Sequence, residues 1–178
     1  LFSRLLYGAQ FSLFIGVIVT TIALAGGIVI GVIAGYMRGW VDTVICRINE
    51  LFQTIPGFVL LVVLVSLLEP SITTLVLGLS LVSWDVVARL TRAEVRHHRN
   101  RDYVLAAEAL GFSRRHILFR EILPNVAPAL IVTGSIIVAS AILSESALSF
   151  LGLGDPNVVT WGSLIGSGRD HIRSAWFL

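Results

Sequence analysis

Long apolar runs alternate with short polar stretches along this chain, and each run is long enough to cross a bilayer. Residues 11–36 carry no charged side chain and exceed the ~18 apolar residues that mark a membrane span. Residues 47–68 form a second run, with Pro56 and Gly57 inside it. A proline there removes a backbone hydrogen bond, so a kink is expected, serving either a gate or packing. Glu69, Pro70 and Ser71 make a tight exit into a third run, 72–90, and a fourth covers 125–150. The pattern predicts an all-α polytopic membrane protein with four spans.

The connections differ in character. Leu1 to Gln10 carries Arg4 and lacks the features of a signal peptide; it reads as an interfacial lead-in to the first span. Residues 37–48, with Arg38, Asp42 and Arg47, form a short polar connection. Residues 151–173 are Gly-rich, with turn signals at Asp155-Pro156-Asn157 and Gly166-Ser167-Gly168, and 174–178 turn apolar again. Inside the first span Gly27, Gly31 and Gly35 recur every four residues. Such small-xxx-small spacing lays a groove along one face and lets two helices approach closely in lipid. The plainer alternative is that membrane helices simply tolerate glycine.

The longest polar stretch, 91–124, contains the element around which the chain is organised. Ala106, Ala107 and Ala109 favour a helix. Gly111 sits where a helix C-terminus wants a left-handed residue, and Ser113 is placed to cap a further helix. That second helical turn or two is expected from Arg114 to Ile122. Pro124 then suits the first turn of a new helix. A short helix, a bend and a second helix between two spans can be gripped by something outside the membrane.

Composition agrees with the pattern. Hydrophobic residues make up 56% and charged residues 13% of the chain, against about a quarter charged in a soluble domain, and the mean hydropathy is +0.88. There is no lysine, and eight of the 13 arginines lie between Arg89 and Arg120. Placing eight arginines at a bilayer centre would cost on the order of 20 kcal/mol, so this segment lies outside the hydrocarbon, and its positive excess assigns it to the cytoplasm. The first connection, with Arg38 and Arg47, then also falls in the cytoplasm and 151–173 outside.

Catalytic signatures are missing from the sequence. A phosphate-binding loop of the Walker type needs a lysine, and no HExxH or GxSxG pattern occurs. His97, His98, His116 and His171 all lie in polar segments. His97 and His98 are adjacent and point to different faces of a helix, which favours a solvated basic face over a metal site. The single Cys46 gives neither an intrachain disulfide nor a metal cluster. The chain is expected to be non-catalytic, with no metal and no nucleic-acid partner.

The stretch YVLAAEALGFSRRHILFREILPN, from Tyr103 to Asn125, resembles the cytoplasmic "EAA" loop of inner-membrane permease subunits of binding-protein-dependent ABC importers. Ala106, Ala107, Gly111, Leu123 and Pro124 fall on that pattern in register. Leu105 stands where the pattern has glutamate, and Glu108 comes three places late. RDYVLAAEALG, FREILPN, LSFLGLG and the early LFSRLLYGAQFSL are most similar to the dipeptide/oligopeptide/nickel branch, and the likeness runs over essentially the whole chain. It implies the all-α, MetI-like transmembrane domain of type I importers, here with four spans and a cytoplasmic coupling helix. Relatives of this kind begin in the cytoplasm and have further helices, so another span is expected before Leu1 and another after Leu178.

The resemblance also implies partners. They are a second permease subunit, two ABC ATPase subunits that carry ATP and Mg, and an external substrate-binding protein. The coupling residues would be Ala106, Ala107, Glu108, Gly111, Arg114, Arg115, Leu123 and Pro124. Small residues there let the helix enter a cleft, and Arg114 and Arg115 can meet acidic groups. The alternatives are a surface helix that binds nothing or one that lies on anionic headgroups. Ionisable groups near spans are expensive and often functional, which makes Asp85 and Glu145 candidates for the translocation path. Ser144 and Ser146 flank Glu145, which is expected either to be satisfied locally by them or to pair with the partner permease. Glu50 reads as solvated. Asp155 and Trp161 are candidates for contact with the binding protein, the alternative being an ordered re-entry loop. The function expected is import of di- or oligopeptides, with nickel or another small solute as the alternative substrate. A channel or signalling protein with a basic cytoplasmic loop is the alternative class.

Overall fold

A computed structural model describes residues 2–37 and 39–169. Arg38, the last four residues of the expected external segment and the apolar end at 174–178 lie outside the described residues. The first helix, α1, runs unbroken from Phe2 to Met37. Its 36 residues extend ~54 Å at the α-helical rise. Residues 2–10 therefore open α1 instead of forming a separate lead-in. No proline interrupts them, and Trp161 Nε1 donates to the carbonyl of Leu5 at 3.2 Å, which ties this start to a later segment.

The connection expected at 37–48 and the span expected from Arg47 are also replaced. Gly39, at φ 73°, turns the chain into a second helix, α2 (Trp40–Thr54). Asp42, Asn49 and Gln53 recur on one face of α2, and Trp40, Val44, Ile48 and Leu51 are exposed on the other. That helical spacing of polar and apolar positions makes an amphipathic helix, which a reading by charge alone divides between a loop and a span. A third helix, α3 (Gly57–Leu67), follows at a bend of 78°. Pro56 supplies the break, because it lacks an N–H and drives the residue before it out of helical geometry. With 11 residues, α3 reaches only ~16 Å, about half the hydrocarbon thickness. The α2–α3 pair is a broken span or a re-entrant loop.

A fourth helix, α4 (Ile72–Arg99), continues well past residue 90 and takes up the first part of the expected loop. Asp155 Oδ2 accepts from the N–H of Ile72 at 3.3 Å, and Ser71 Oγ accepts from that of Thr74 at 3.2 Å. These bonds satisfy two of the orphan donors at the helix start. Arg96, His97, His98 and Arg99 fill the last turn, where positive charge is favoured. Two short helices, α5 (Asp102–Ala109) and α6 (Arg114–His116), lead into a π-helical stretch, Ile117–Ile122. The long helix α7 (Leu123–Phe150) continues it and contains Pro128. Turns then lead to α8 (Trp161–Arg169). The helices α1, α4 and the continuous stretch Arg114–Phe150 are each long and apolar enough to cross a membrane, and the bent pair makes a fourth span if counted as one. The protein is an all-α, multi-pass membrane protein.

The chain divides into two compact units. The first comprises the described parts of Leu1–Thr21, Ile55–Ser83 and Ile136–Leu178. Its core is built from Ile15, Val19, Leu61, Val65, Leu75, Leu79, Ala141 and Leu148, all buried. The second comprises Ile22–Thr54 and Trp84–Ser135. In it the three spaced glycines of α1 meet α4. A Cβ on Gly27 would stand 2.5 Å from Val87 Cβ, one on Gly31 2.5 Å from Ala88 O, and one on Gly35 2.9 Å from Arg92 O. Only hydrogen fits at those distances, so the helix backbones approach closely over three successive turns.

Candidate functional site

The helix–bend–helix element is built largely by local bonds. At the end of α5 the N–H of Gly111 bonds Glu108 O at 3.0 Å and that of Phe112 bonds Ala107 O at 3.1 Å. This is the Schellman arrangement, and it needs a left-handed residue after the helix; Gly111 has φ 80°. Ser113 Oγ then accepts from the N–H of His116 at 3.3 Å, capping α6. The rings of Phe112 and His116 stack at 4.7 Å across the bend. Val104, Ala107, Ile117 and Ile122 are buried, and α5 packs against the π-helical stretch. The end of α4 holds the element from the other side, with His98 Nδ1 and Tyr103 Oη 2.9 Å apart. Burial, and after it the carboxylate of Glu121, pushes the Tyr103 phenol above its usual range against the opposing pull of Arg101.

The face left outside is different from the one expected. Ala107, at 6% exposure, points inward and seats α5, so it offers nothing to a partner. Ala106, Glu108, Gly111, Arg114 and Arg115 are exposed, as is Pro124, while Leu123 is half-buried. Beside them stand exposed apolar side chains that sequence reasoning missed: Leu105, Leu110 at 76% exposure, Phe112 and Phe119. In the sequence Leu105 stands out only as a departure from the glutamate of the motif. The signal that could have found the rest is the presence of large apolar residues inside an otherwise polar loop. The element thus presents an apolar ridge edged by arginines, a surface able to bury area and pair with carboxylates. A cavity of about 690 Å³ opens beside it between Tyr36, Arg99, Glu108, Phe112 and Arg114. Arg99 is fixed there, donating to Tyr36 O and lying 4.9 Å from the centre of that ring.

The remaining candidate residues make contacts within their own unit. Asp85 is 7% exposed, with its Oδ2 3.4 Å from Arg89 Nη2, and Arg89 Nη1 donates to Gln53 Oε1 at 2.7 Å. Glu145 is 0% exposed. Its partners are Ser149, whose Oγ donates to Oε1 at 2.6 Å, and Ser12, whose Oγ donates to Oε2 at 3.4 Å. The flanking Ser144 and Ser146 expected as partners are not the ones bonded, because side chains four residues apart share a helix face and immediate neighbours do not. Asp155 caps α4 and also accepts from the N–H of Asn157 at 2.9 Å. Trp161 donates through its backbone to Ser12 Oγ and through its ring to Leu5 O. The structure brings the candidate coupling residues together in the second unit and gathers Glu145 and Trp161 around Ser12 in the first.

Known proteins are similar to this chain in sequence and in architecture. Residues 27–168 match the family model described as binding-protein-dependent transport system inner membrane component. The di/tripeptide transport system permease protein DppC of Pseudomonas aeruginosa is 38% identical over 100% of this chain and 59% of its own length. The dipeptide transport system permease protein DppC of Haemophilus influenzae is 36% identical over 99% of this chain and 60% of its own. The chain therefore spans somewhat under two thirds of these relatives. Among solved structures, a chain of the MetNI methionine ABC transporter in an inward-facing conformation superposes with a TM-score of 0.77. The match covers 98% of this chain and 82% of that one at 16% identity, a likeness of fold. The match to the family model across most of the chain settles its membership: this protein belongs to the binding-protein-dependent transport system inner membrane components.

Proposed function

We propose that the chain belongs to a membrane-spanning permease subunit in an ATP-driven importer that carries di- or oligopeptides across the bacterial cytoplasmic membrane. The observation that carries this reading is the element between α4 and α7. It is seated by buried Val104, Ala107, Ile117 and Ile122, and it presents Leu105, Leu110 and Phe119 with Arg114 and Arg115 on its open side. That surface suits docking of an ATPase subunit. Uphill transport needs free energy, and the sequence has no lysine for a phosphate-binding loop, so ATP and Mg belong on two partner ATPases. A second permease subunit would complete the path, and an external binding protein would deliver the substrate. Peptides are the substrate named for the relatives from Pseudomonas aeruginosa and Haemophilus influenzae.

The test is purification of the full-length subunit in mild detergent, identification of the proteins that accompany it, and ATPase assay with candidate peptides. An ATPase that copurifies with the native subunit and is lost from Gly111→Asp, with membrane insertion intact, supports the proposal. A subunit that takes up peptide normally as Gly111→Asp would remove the role of the loop. A chain with no ATPase under these conditions would point to a channel or signalling role instead.

A further inference from the structure

The coupling element leaves unexplained a fully buried carboxylate in the first unit. Burying a charged or polar group is costly unless it is hydrogen-bonded, and no cation pairs with Glu145 among the described residues. Its oxygens are taken by two hydroxyls. Ser149 Oγ donates to one at 2.6 Å and Ser12 Oγ to the other at 3.4 Å. The bonding continues beyond Ser12, whose Oγ accepts the backbone N–H of Trp161, the first residue of α8, at 3.3 Å. Glu145 on α7 is thereby linked to α1 and, through α1, to the start of α8.

The backbone fits around this link. A Cβ on Gly162 would stand 2.5 Å from Ser146 O, so the first turn of α8 lies against the backbone of α7. A Cβ on Gly8 of α1 would stand 3.3 Å from the carbonyl carbon of Thr160. Trp161 Nε1 reaches Leu5 O, and Asp155 ties the preceding turn to Ile72. The segment from Asp155 to Arg169 is thus hydrogen-bonded to α1 and α4 and packed against α7, and Glu145 is fully buried beside those bonds.

We propose that Glu145 is a positioning residue that fixes residues 151–169, with α8, as a seated cap on the ends of α1 and α7, and that releasing the cap uncouples ATP hydrolysis from uptake. The seating is a property of the first unit alone, while its effect on uptake rests on the importer reading. A cap held by hydrogen bonds has a clear chemical signature. Glu145→Gln keeps the shape, still offers an oxygen to Ser149 and turns its NH2 to Ser12. Glu145→Met keeps the volume and loses both bonds.

The experiment is amide hydrogen exchange on the full-length subunit in nanodiscs, monitored at residues 158–169, with 76–82 as a control for folding. Glu145→Met should speed exchange at 158–169 by about tenfold or more, with Glu145→Gln within about threefold of the native protein and the control region unchanged. Ser12→Ala removes the link to Trp161 and leaves Glu145 in place with its bond from Ser149, and it should release the same residues if Glu145→Met fails to assemble. Native protection in both Glu145→Met and Ser12→Ala, or release in Glu145→Gln equal to that in Glu145→Met, overturns the proposal. In the assembled importer, Glu145→Met should lose uptake while keeping ATP hydrolysis, whereas a general loss of structure would lower both together. Absence of an ATPase from the native subunit would sink the importer reading, and the exchange comparison would still decide the anchor.

Discussion

Arg92 of α4 holds Asp42 of α2 with two guanidinium nitrogens, Nη2 reaching Oδ2 at 2.8 Å and Nε reaching Oδ1. Arg96 adds a longer contact to the same carboxylate at 3.6 Å. Further along α2, Gln53 accepts from Arg89, and Phe52 meets Trp84 edge-on at 5.4 Å. The amphipathic α2 is therefore pinned to α4 at both ends. Asp42→Ala should lower stability by about 1–3 kcal/mol, the range for a lost charge-assisted bond. The check is denaturant unfolding in detergent. Exchanging the pair as Asp42→Arg with Arg92→Asp should recover part of the loss, and complete additivity of the two changes would show that the contact contributes nothing.

Gly31 should tolerate no side chain. A Cβ there would lie 2.5 Å from both Ala88 O and Thr91 Cβ, whereas one on Gly26 of the same helix meets nothing within 4 Å. Gly31→Val should destabilise by about 1–3 kcal/mol or more through overpacking. Gly26→Ala should be neutral or stabilise by up to about 1 kcal/mol, through helix propensity. Thermal stability in detergent separates the two, and equal effects would mean that the glycines act by flexibility alone.

The apolar ridge can be tested without disturbing the fold. Leu110 and Phe119 are exposed, so Leu110→Ser and Phe119→Ser should change stability by less than about 0.5 kcal/mol. If the ridge docks an ATPase, the double variant should weaken that association by about tenfold or more. Unchanged copurification and unchanged coupled ATP hydrolysis would relieve these side chains of any docking role.

Gly111 allows a graded test of the bend. At φ 80° an alanine should cost about 1–2 kcal/mol, while asparagine, which tolerates this conformation better, should cost less. Coupling of ATP hydrolysis to uptake should fall in the order Gly, Asn, Ala, Val. A valine variant as well coupled as the native protein would show that the bend does not need its left-handed residue.

Local chemistry made part of this molecule readable. The Gly111 bend and the Ser113 cap depend on residues within five positions of one another, so their geometry is written in the local sequence. The break at Pro56 is local in the same way. Other features depend on partners far along the chain. Residues 2–10 are helical and are held by Trp161. Residues 40–54 form one helix whose polar face is matched by Arg89 and Arg92 of α4. Ala107 faces inward because α5 packs on the π-helical stretch. Ser149 is legible as a partner of Glu145 by its helical spacing, but Ser12 lies 133 positions away and leaves no trace in the local pattern.

The π-helical stretch before α7 has a geometric consequence of its own. The N–H of Leu123 bonds Leu118 O, five residues back, so the coil is wider there than an α-helix. Each residue of an α-helix advances the chain by about 100°. The wider coil takes up one extra residue while the turns on either side keep their facing; wound as an ordinary α-helix with no residue removed, 117–122 would swing α5, with its open ridge, by roughly that angle about the axis of α7. Every side chain of the ridge would survive such a change, but all would face the wrong compass bearing.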